Sequence, residues 1–182
     1  MNQHGRIVTL FLAVLLPLIV AAAIALLFQS NKSKYTFNVQ NALKIIRSNL
    51  YVHLDESVGW GYTVADASNG NLSCLRTNTD CSAMAAQKNA IAVVRTIADD
   101  VYMDNLTSPT RGMTLDGRQC STYSAVNSDP QCPVKITVTW KPVCLGAPCL
   151  NPPFLLEVKF TYTPPVGKVA IDTSKYDFSL SK

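Results

Sequence analysis

Charge is scarce in this chain of 182 residues: Asp, Glu, Lys and Arg make up 15% of it, against roughly 25% in ordinary soluble domains. The shortfall has a place, because from Ile7 to Phe28 there are 22 residues without a single charge. Histidine is almost missing too: His4 and His53 are the only two, and no C-x-x-C occurs, so the usual ligand spacing of a zinc site is not met. There is no Gly-rich phosphate loop and no nucleophile elbow. The neighbouring carboxylates Asp55-Glu56 and Asp99-Asp100 would diverge on a helix rather than converge on a substrate. No catalytic, cofactor-binding or metal-binding residue is therefore assigned, and an enzyme is not expected. Beyond residue 28 there are 15 basic and 12 acidic residues, scattered along the chain. That balance lacks the clustered basic face of a nucleic-acid protein. The remainder keeps its apolar runs and has no low-complexity tract or detectable repeat, which argues against disorder.

What is present begins with the uncharged run IVTLFLAVLLPLIVAAAIALLF. As a helix it would be about 33 Å long, enough for a hydrocarbon core of about 30 Å. Arg6 and the amino terminus lie on one side of it, and Ser30-Asn31-Lys32-Ser33-Lys34 on the other. The positive-inside rule then leaves Arg6 in the cytoplasm and directs residues 29–182 outward. A retained membrane anchor is the favoured reading. A secretory signal peptide is the alternative, with small-x-small cut sites after Ala23 and Ala25, although the run exceeds the usual apolar core of such peptides.

All six cysteines, Cys74, Cys81, Cys120, Cys132, Cys144 and Cys149, fall in the outward part. An even number in an exported domain points to disulfides. Their grouping in three close couples, with 6, 11 and 4 residues between partners, favours Cys74–Cys81, Cys120–Cys132 and Cys144–Cys149 among the possible pairings. Such short loops staple local structure rather than replace a core.

From Tyr35 to about Ser57, Phe37, Leu43, Ile46, Leu50 and Leu54 recur mostly at steps of three and four, with Asn41, Lys44, Arg47 and Asn49 elsewhere on the wheel. This spacing predicts an amphipathic helix. No glycine occurs from Arg6 to Val58, after which Gly59 and Gly61 bracket Trp60. The economical reading is one helix of about 50 residues, apolar first and amphipathic second. A second helix is expected from about Ser82 to Met103, capped by Asp80, with Ala86, Ala90, Val94, Ile97 and Val101 on one stripe and Thr107-Ser108-Pro109 after its end. His53 is read as a helix-surface or core-edge side chain, and the triplets Asn71-Leu72-Ser73 and Asn105-Leu106-Thr107 as chance glycosylation patterns.

Beyond Gly112 the period changes to two. Val134, Ile136, Val138 and Trp140 alternate with polar residues, as do Phe154, Leu156, Val158, Phe160 and Tyr162, so two antiparallel strands are predicted. Pro142, Pro148, Pro152 and Pro153 crowd their connection. A last strand is expected at Tyr176–Leu180. The fold class is thus α+β: a long N-terminal helix, membrane-inserted in its first half, whose second half covers an antiparallel β-sheet, with disulfide staples.

This order resembles the type IV pilins and pseudopilins. The short leader-like segment, residues 1–5, ends in Gly5 directly before Arg6, as at a prepilin cleavage site, and residues 6–28 match the assembly helix. The stretches GMTLDGRQC, DPQCPVKITVTWKPVC, CLNPP and KYDFSL resemble cysteine-rich minor pilins. Residues 29–182 would then be the outward globular domain, and Gly5 and Arg6 the processing residues. Leu10 stands where the family carries a glutamate. The resemblance implies a structural subunit supporting initiation or the tip of a type IV pilus or secretion pseudopilus. Its partners would be other pilin subunits and a membrane crossed once; no cofactor and no nucleic acid are implied. It would sit in the inner membrane with its outward domain in the periplasm, or in an assembled filament. The competing reading is a bitopic envelope protein, or a periplasmic binding domain released by signal peptidase, that does not polymerise.

Overall fold

The computed structural model describes residues 3–105, 111–126 and 129–182, with side chains from Leu15 onward. Helix α1 runs Gln3–Asp55, 53 residues with Pro17 inside it. The chain divides into two compact units, Met1–Asn38 and Val39–Lys182. In the first, α1 carries the uncharged run, and every described side chain from Leu15 to Lys34 is exposed.

The second unit holds the core. Val39, Leu43, Ile46, Leu50 and Leu54 lie on one face of α1 and are completely buried. Phe37, expected on that stripe, is instead 62% exposed. It precedes Leu43 by six residues, about 120° off the stripe at 3.6 residues per turn. Near its end α1 meets the later elements through several contacts. The Arg47 Nε donates to the Tyr176 carbonyl at 3.1 Å, its guanidinium lies 5.1 Å from the centre of the Phe178 ring, and the Tyr51 and Phe178 rings meet at a tilt of 50° with centres 5.7 Å apart.

Helix α2, Ser57–Ala65, follows after a single residue. It contains Gly59 and Gly61, which the sequence pattern suggests as a break. The tight approach explains one of them: a Cβ on Gly59 would stand 2.6 Å from the His53 carbonyl oxygen. A 3-10 turn, Gly70–Leu72, and the short α3, Ser73–Arg76, lead to the cysteine-bearing loop.

The expected helix from Ser82 to Met103 is not formed. Its place is taken by a 3-10 turn, Ser82–Met84, and strands β1 (Asn89–Ala90), β2 (Val93–Arg95) and β3 (Val101–Asp104). Two asparagines account for the difference. Asn89 turns its amide back onto the Met84 carbonyl at 2.9 Å and the Gln87 carbonyl at 3.1 Å, ending the turn. Asn69 accepts from the Ala92 and Val93 amides, at 2.8 and 3.0 Å, which a helix would have used internally. The β-branched run that follows suits a strand. Ile91, Val93, Val94 and Met103 are buried, whereas Ile97 and Val101 of the anticipated stripe are 53% and 46% exposed. Asp99, at φ 65°, makes the turn between β2 and β3. The anticipated end at Thr107-Ser108-Pro109 lies outside the described residues. The expected cap at Asp80 is not formed: Cys81 stands at the N-cap of the 3-10 turn, and Asp80 Oδ1 accepts from the Ser82 amide at 2.9 Å.

Strands β4 (Gly112–Met113), β5 (Gln119–Cys120), β6 (Val134–Pro142), β7 (Phe154–Tyr162) and β8 (Phe178–Ser181) complete the fold. The sheet order is β5-β4-β6-β7-β8, with β1 on the same edge of β6 as β4. The β6–β7 ladder runs from Val134 opposite Tyr162 to Pro142 opposite Phe154, antiparallel and without a bulge. Its alternation puts Val134, Ile136, Val138, Trp140, Leu156, Val158 and Phe160 in the core. Gly112 is required where β4 joins β6, since a Cβ there would lie 2.6 Å from the Val134 carbonyl oxygen. The last strand begins two residues later than the sequence suggests. Tyr176 belongs to a 3-10 turn, and Asp177 turns its Oδ1 to the Phe160 amide at 2.8 Å.

Three disulfides close local loops: Cys74–Cys81, Cys120–Cys132 and Cys144–Cys149, with Cα separations of 5.3, 5.7 and 5.5 Å. The first and third are tied together. The Cys81 amide donates to the Cys149 carbonyl at 3.0 Å, and the Cys149 amide to Asp80 Oδ1 at 2.7 Å.

Candidate functional site

The feature of unit one that calls for a partner is the apolar length of α1. From Leu15 onward, where the side chains are described, an 18-residue window has a mean hydropathy of 1.6, and none of that window is buried. Leu26, Leu27 and Phe28 are each about two-thirds exposed, at 67%, 65% and 67%. Apolar surface left in water costs about 25 cal/mol per Å², so residues of this size in series need a cover. By length and composition the helix can cross a membrane. Gly5, Arg6 and Leu10 fall in α1 ahead of Leu15, where side chains lie outside the described residues.

In unit two the chemistry-bearing side chains are held in structural roles. His53 packs its ring edge-on against Tyr102, with centres 4.8 Å apart. Its Nδ1 is buried without a hydrogen-bond partner, and burial lowers its pKa from the ordinary 6.5. The neutral imidazole is therefore the form this position favours. Tyr102 reaches the Ile46 carbonyl at 3.4 Å, and burial pushes its hydroxyl up to about 12.

Asp55 ends α1, its carbonyl accepting from Lys182 Nζ at 2.5 Å. Asp99 joins Arg95, which also binds Asp66 Oδ2 through its Nη2 at 2.7 Å. Burial alone would raise the Asp66 pKa, but hydrogen bonds from Ser68 and Arg95 outweigh it and hold the carboxylate below its usual range. The Asp80 carboxylate is lowered first by the Cys149 amide and then by Ser82. Among the described residues no group of three or more His, Cys, Asp or Glu could hold a metal ion.

The residue that sequence reading missed is Asn69, taken there only as part of an Asn-Gly loop. It is 1% exposed. Its Nδ2 donates to the Thr63 carbonyl at 2.8 Å and the Val93 carbonyl at 2.7 Å, while Oδ1 takes the two amides named above. All four hydrogen-bonding positions of the side chain are thus used. Thr63, also buried, accepts from the Arg95 amide at 2.9 Å. Together these join α2 to β2. The composition of the loop offers no signal for this, because Ala92 and Val93 lie 23 and 24 residues away. Of the two glycosylation-like triplets, Asn71 gives its amide to the Ala90 carbonyl, and Leu106-Thr107 of the other lie outside the described residues.

Several open grooves mark the surface of unit two, one of them, of about 300 Å³, formed by residues 143–153. Another of about 510 Å³ runs between Trp60, Leu75, Arg76 and Phe154, with Trp60 and Phe154 rings 5.1 Å apart. A groove of about 360 Å³ borders Tyr62, Asp66 and Arg95. A further one, about 430 Å³, lies between Ala85, Lys141, Val143 and Leu155. None gathers a nucleophile, a base and an orienting group. Comparison with known protein families, curated proteins and solved structures gives no match to this chain.

Proposed function

We propose that this chain is a minor pilin or pseudopilin, a structural subunit that supports initiation or the tip of a type IV pilus or secretion pseudopilus. The observation that carries the reading is the division of labour along α1. From Leu15 to Phe28 its side chains are uncharged and exposed, and its second part buries Val39, Leu43, Ile46, Leu50 and Leu54 in an α+β domain with an antiparallel sheet. An apolar helix of this kind serves equally as a membrane span before assembly and as a packing surface among like helices afterwards. The disulfides fit an exported domain. The partners in this reading are other pilin subunits and the inner membrane, and the outward domain lies in the periplasm or on a filament. Leu10, in place of a carboxylate, removes one polar contact by which a subunit would be recruited repeatedly into a shaft. This assigns the chain to low copy number at an end.

N-terminal sequencing of the mature protein tests the reading. A start at Arg6 supports prepilin processing. A start at Met1 favours the bitopic envelope protein, and Ile24 or Leu26 a signal peptide and a released domain. Quantitative labelling of isolated filaments then tests the position. Abundance equal to a major subunit along the shaft would overturn an end position, and absence from every filament would overturn the assembly role.

A further inference from the structure

The connection between β6 and β7, residues 143–153, contains no charged residue and is apolar at most of its exposed positions. Leu145 is fully exposed, and Val143 and Leu150 are 52% and 54% exposed. Single exposed leucines are ordinary; a run of them on one short loop marks a contact surface. The loop is also held in shape. Cys144–Cys149 closes it, the Val143 amide bonds the Pro153 carbonyl at 2.7 Å, and Cys149 is bonded on both sides of its peptide, to Asp80 and Cys81. Its leucines are therefore presented to water by a braced backbone, which lowers the ordering cost of inserting them elsewhere.

The surface beside the loop is net basic. Lys141 stands opposite Leu155 on the outer face of the β6–β7 ladder, and both line the groove that also contains Val143. Along that face Lys135 and Lys159 are diagonal neighbours, opposite Thr161 and Thr137. Lys88 is neutralised by Glu157 at 2.5 Å. Lys135, Lys141 and Lys159 have no ion pair among the described residues.

We propose that the Cys144–Cys149 loop and the adjoining lysine face form a docking surface for an anionic lipid bilayer, with Leu145 and Leu150 entering the interface and the lysines meeting headgroups. Charge complementarity argues for lipid over a second copy of this chain. Apolar insertion beside a basic surface is the combination that holds proteins on anionic membranes. This goes beyond the filament reading and is independent of it, because neither the loop nor the lysines take part in α1.

The test uses the full chain embedded in phosphatidylcholine nanodiscs, so that α1 is already covered, mixed with separate vesicles and floated on a density gradient. The wild type should float with vesicles containing phosphatidylglycerol and stay behind with pure phosphatidylcholine. The double variant Leu145→Ser/Leu150→Ser should lose about tenfold or more of the association. The variant Lys141→Gln/Lys159→Gln should bind more weakly and lose most of the salt dependence. All four side chains are exposed, so unchanged melting curves should accompany these losses. Wild-type flotation by the leucine variant, or equal binding to both vesicle types, would overturn the proposal. So would nanodisc self-association without vesicles that the leucine variant abolishes, which would assign the loop to a protein contact.

Discussion

Gly59 and the carbonyl of His53 approach so closely that a Cβ at residue 59 would lie 2.6 Å from the oxygen. This contact sets the entry of α2 behind the end of α1, and it sorts the two glycines around Trp60 into different roles. Gly61 has nothing within 4 Å of an added Cβ. Gly59→Ala should destabilise the protein by about 2–3 kcal/mol through the clash, whereas Gly61→Ala should stabilise it by about 0.5–1 kcal/mol by lowering unfolded-state entropy. Urea unfolding of both variants measures the opposite signs, and equal shifts would show that α2 does not approach His53 in this way.

Asn69 is expected to be among the most sensitive surface-remote positions. Asn69→Ala would leave the Ala92 and Val93 amides and two buried carbonyls without partners. The expected cost is at least about 3 kcal/mol. Amide exchange should show faster opening of β2 relative to β7, and uniform protection would refute the role given to this side chain.

On α1, Ile46 and Ile45 are neighbours with opposite environments, 0% and 59% exposed. Ile46→Asp buries an unpaired charge and should cost about 4 kcal/mol or more. Ile45→Asp should change stability by no more than about 0.5 kcal/mol. Denaturant midpoints that moved alike would place the helix in a different rotation.

His53 should make stability depend on pH near neutrality. Burial lowers its folded-state pKa below the ordinary 6.5, so the unfolded chain takes up a proton first as pH falls. The stability present above 6.5 is lost from there down through the lower folded value. The variant His53→Gln should lack that slope. Unfolding free energies measured across this range would contradict the assignment if wild type and variant ran parallel.

Reduction should act locally. Non-reducing peptide mapping should recover Cys74–Cys81, Cys120–Cys132 and Cys144–Cys149. The double variant Cys144→Ser/Cys149→Ser should lose about 2 kcal/mol of stability, while the β6–β7 ladder keeps its amide protection. Crossed pairs would contradict the loop geometry described above.

The stripe Leu43, Ile46, Leu50 and Leu54 and the alternation of β6 and β7 were legible in the chain because burial on one face imposes the period of the element itself, 3.6 in a helix and 2 in a strand. Residues 82–103 were not legible in the same way. Alanines, methionine and valines at mixed spacing satisfy a helical wheel and a strand alike, and the decision came from outside the segment, from Asn69 and from the Asn89 amide. Phe37 shows the same limit on a small scale, since its exposure follows from the phase of α1 about the core and not from its hydrophobicity.

By itself, the sequence determined that the run from Ile7 to Phe28 is long and apolar enough, as a helix, to cross a membrane, that residues 39–54 carry a buried face, and that a hairpin of alternating strands follows. These are properties of local composition and period, and each residue contributes to them without reference to distant ones. Only the tertiary structure decided that Gly59 and Gly112 must lack a Cβ, that Asn69 replaces a helix with a strand, and that Leu145 stands in solvent on a loop that shares a groove with Lys141. Gly112 and Asn69 depend on atoms more than twenty residues apart being brought within a few ångströms, a distance that no local pattern encodes.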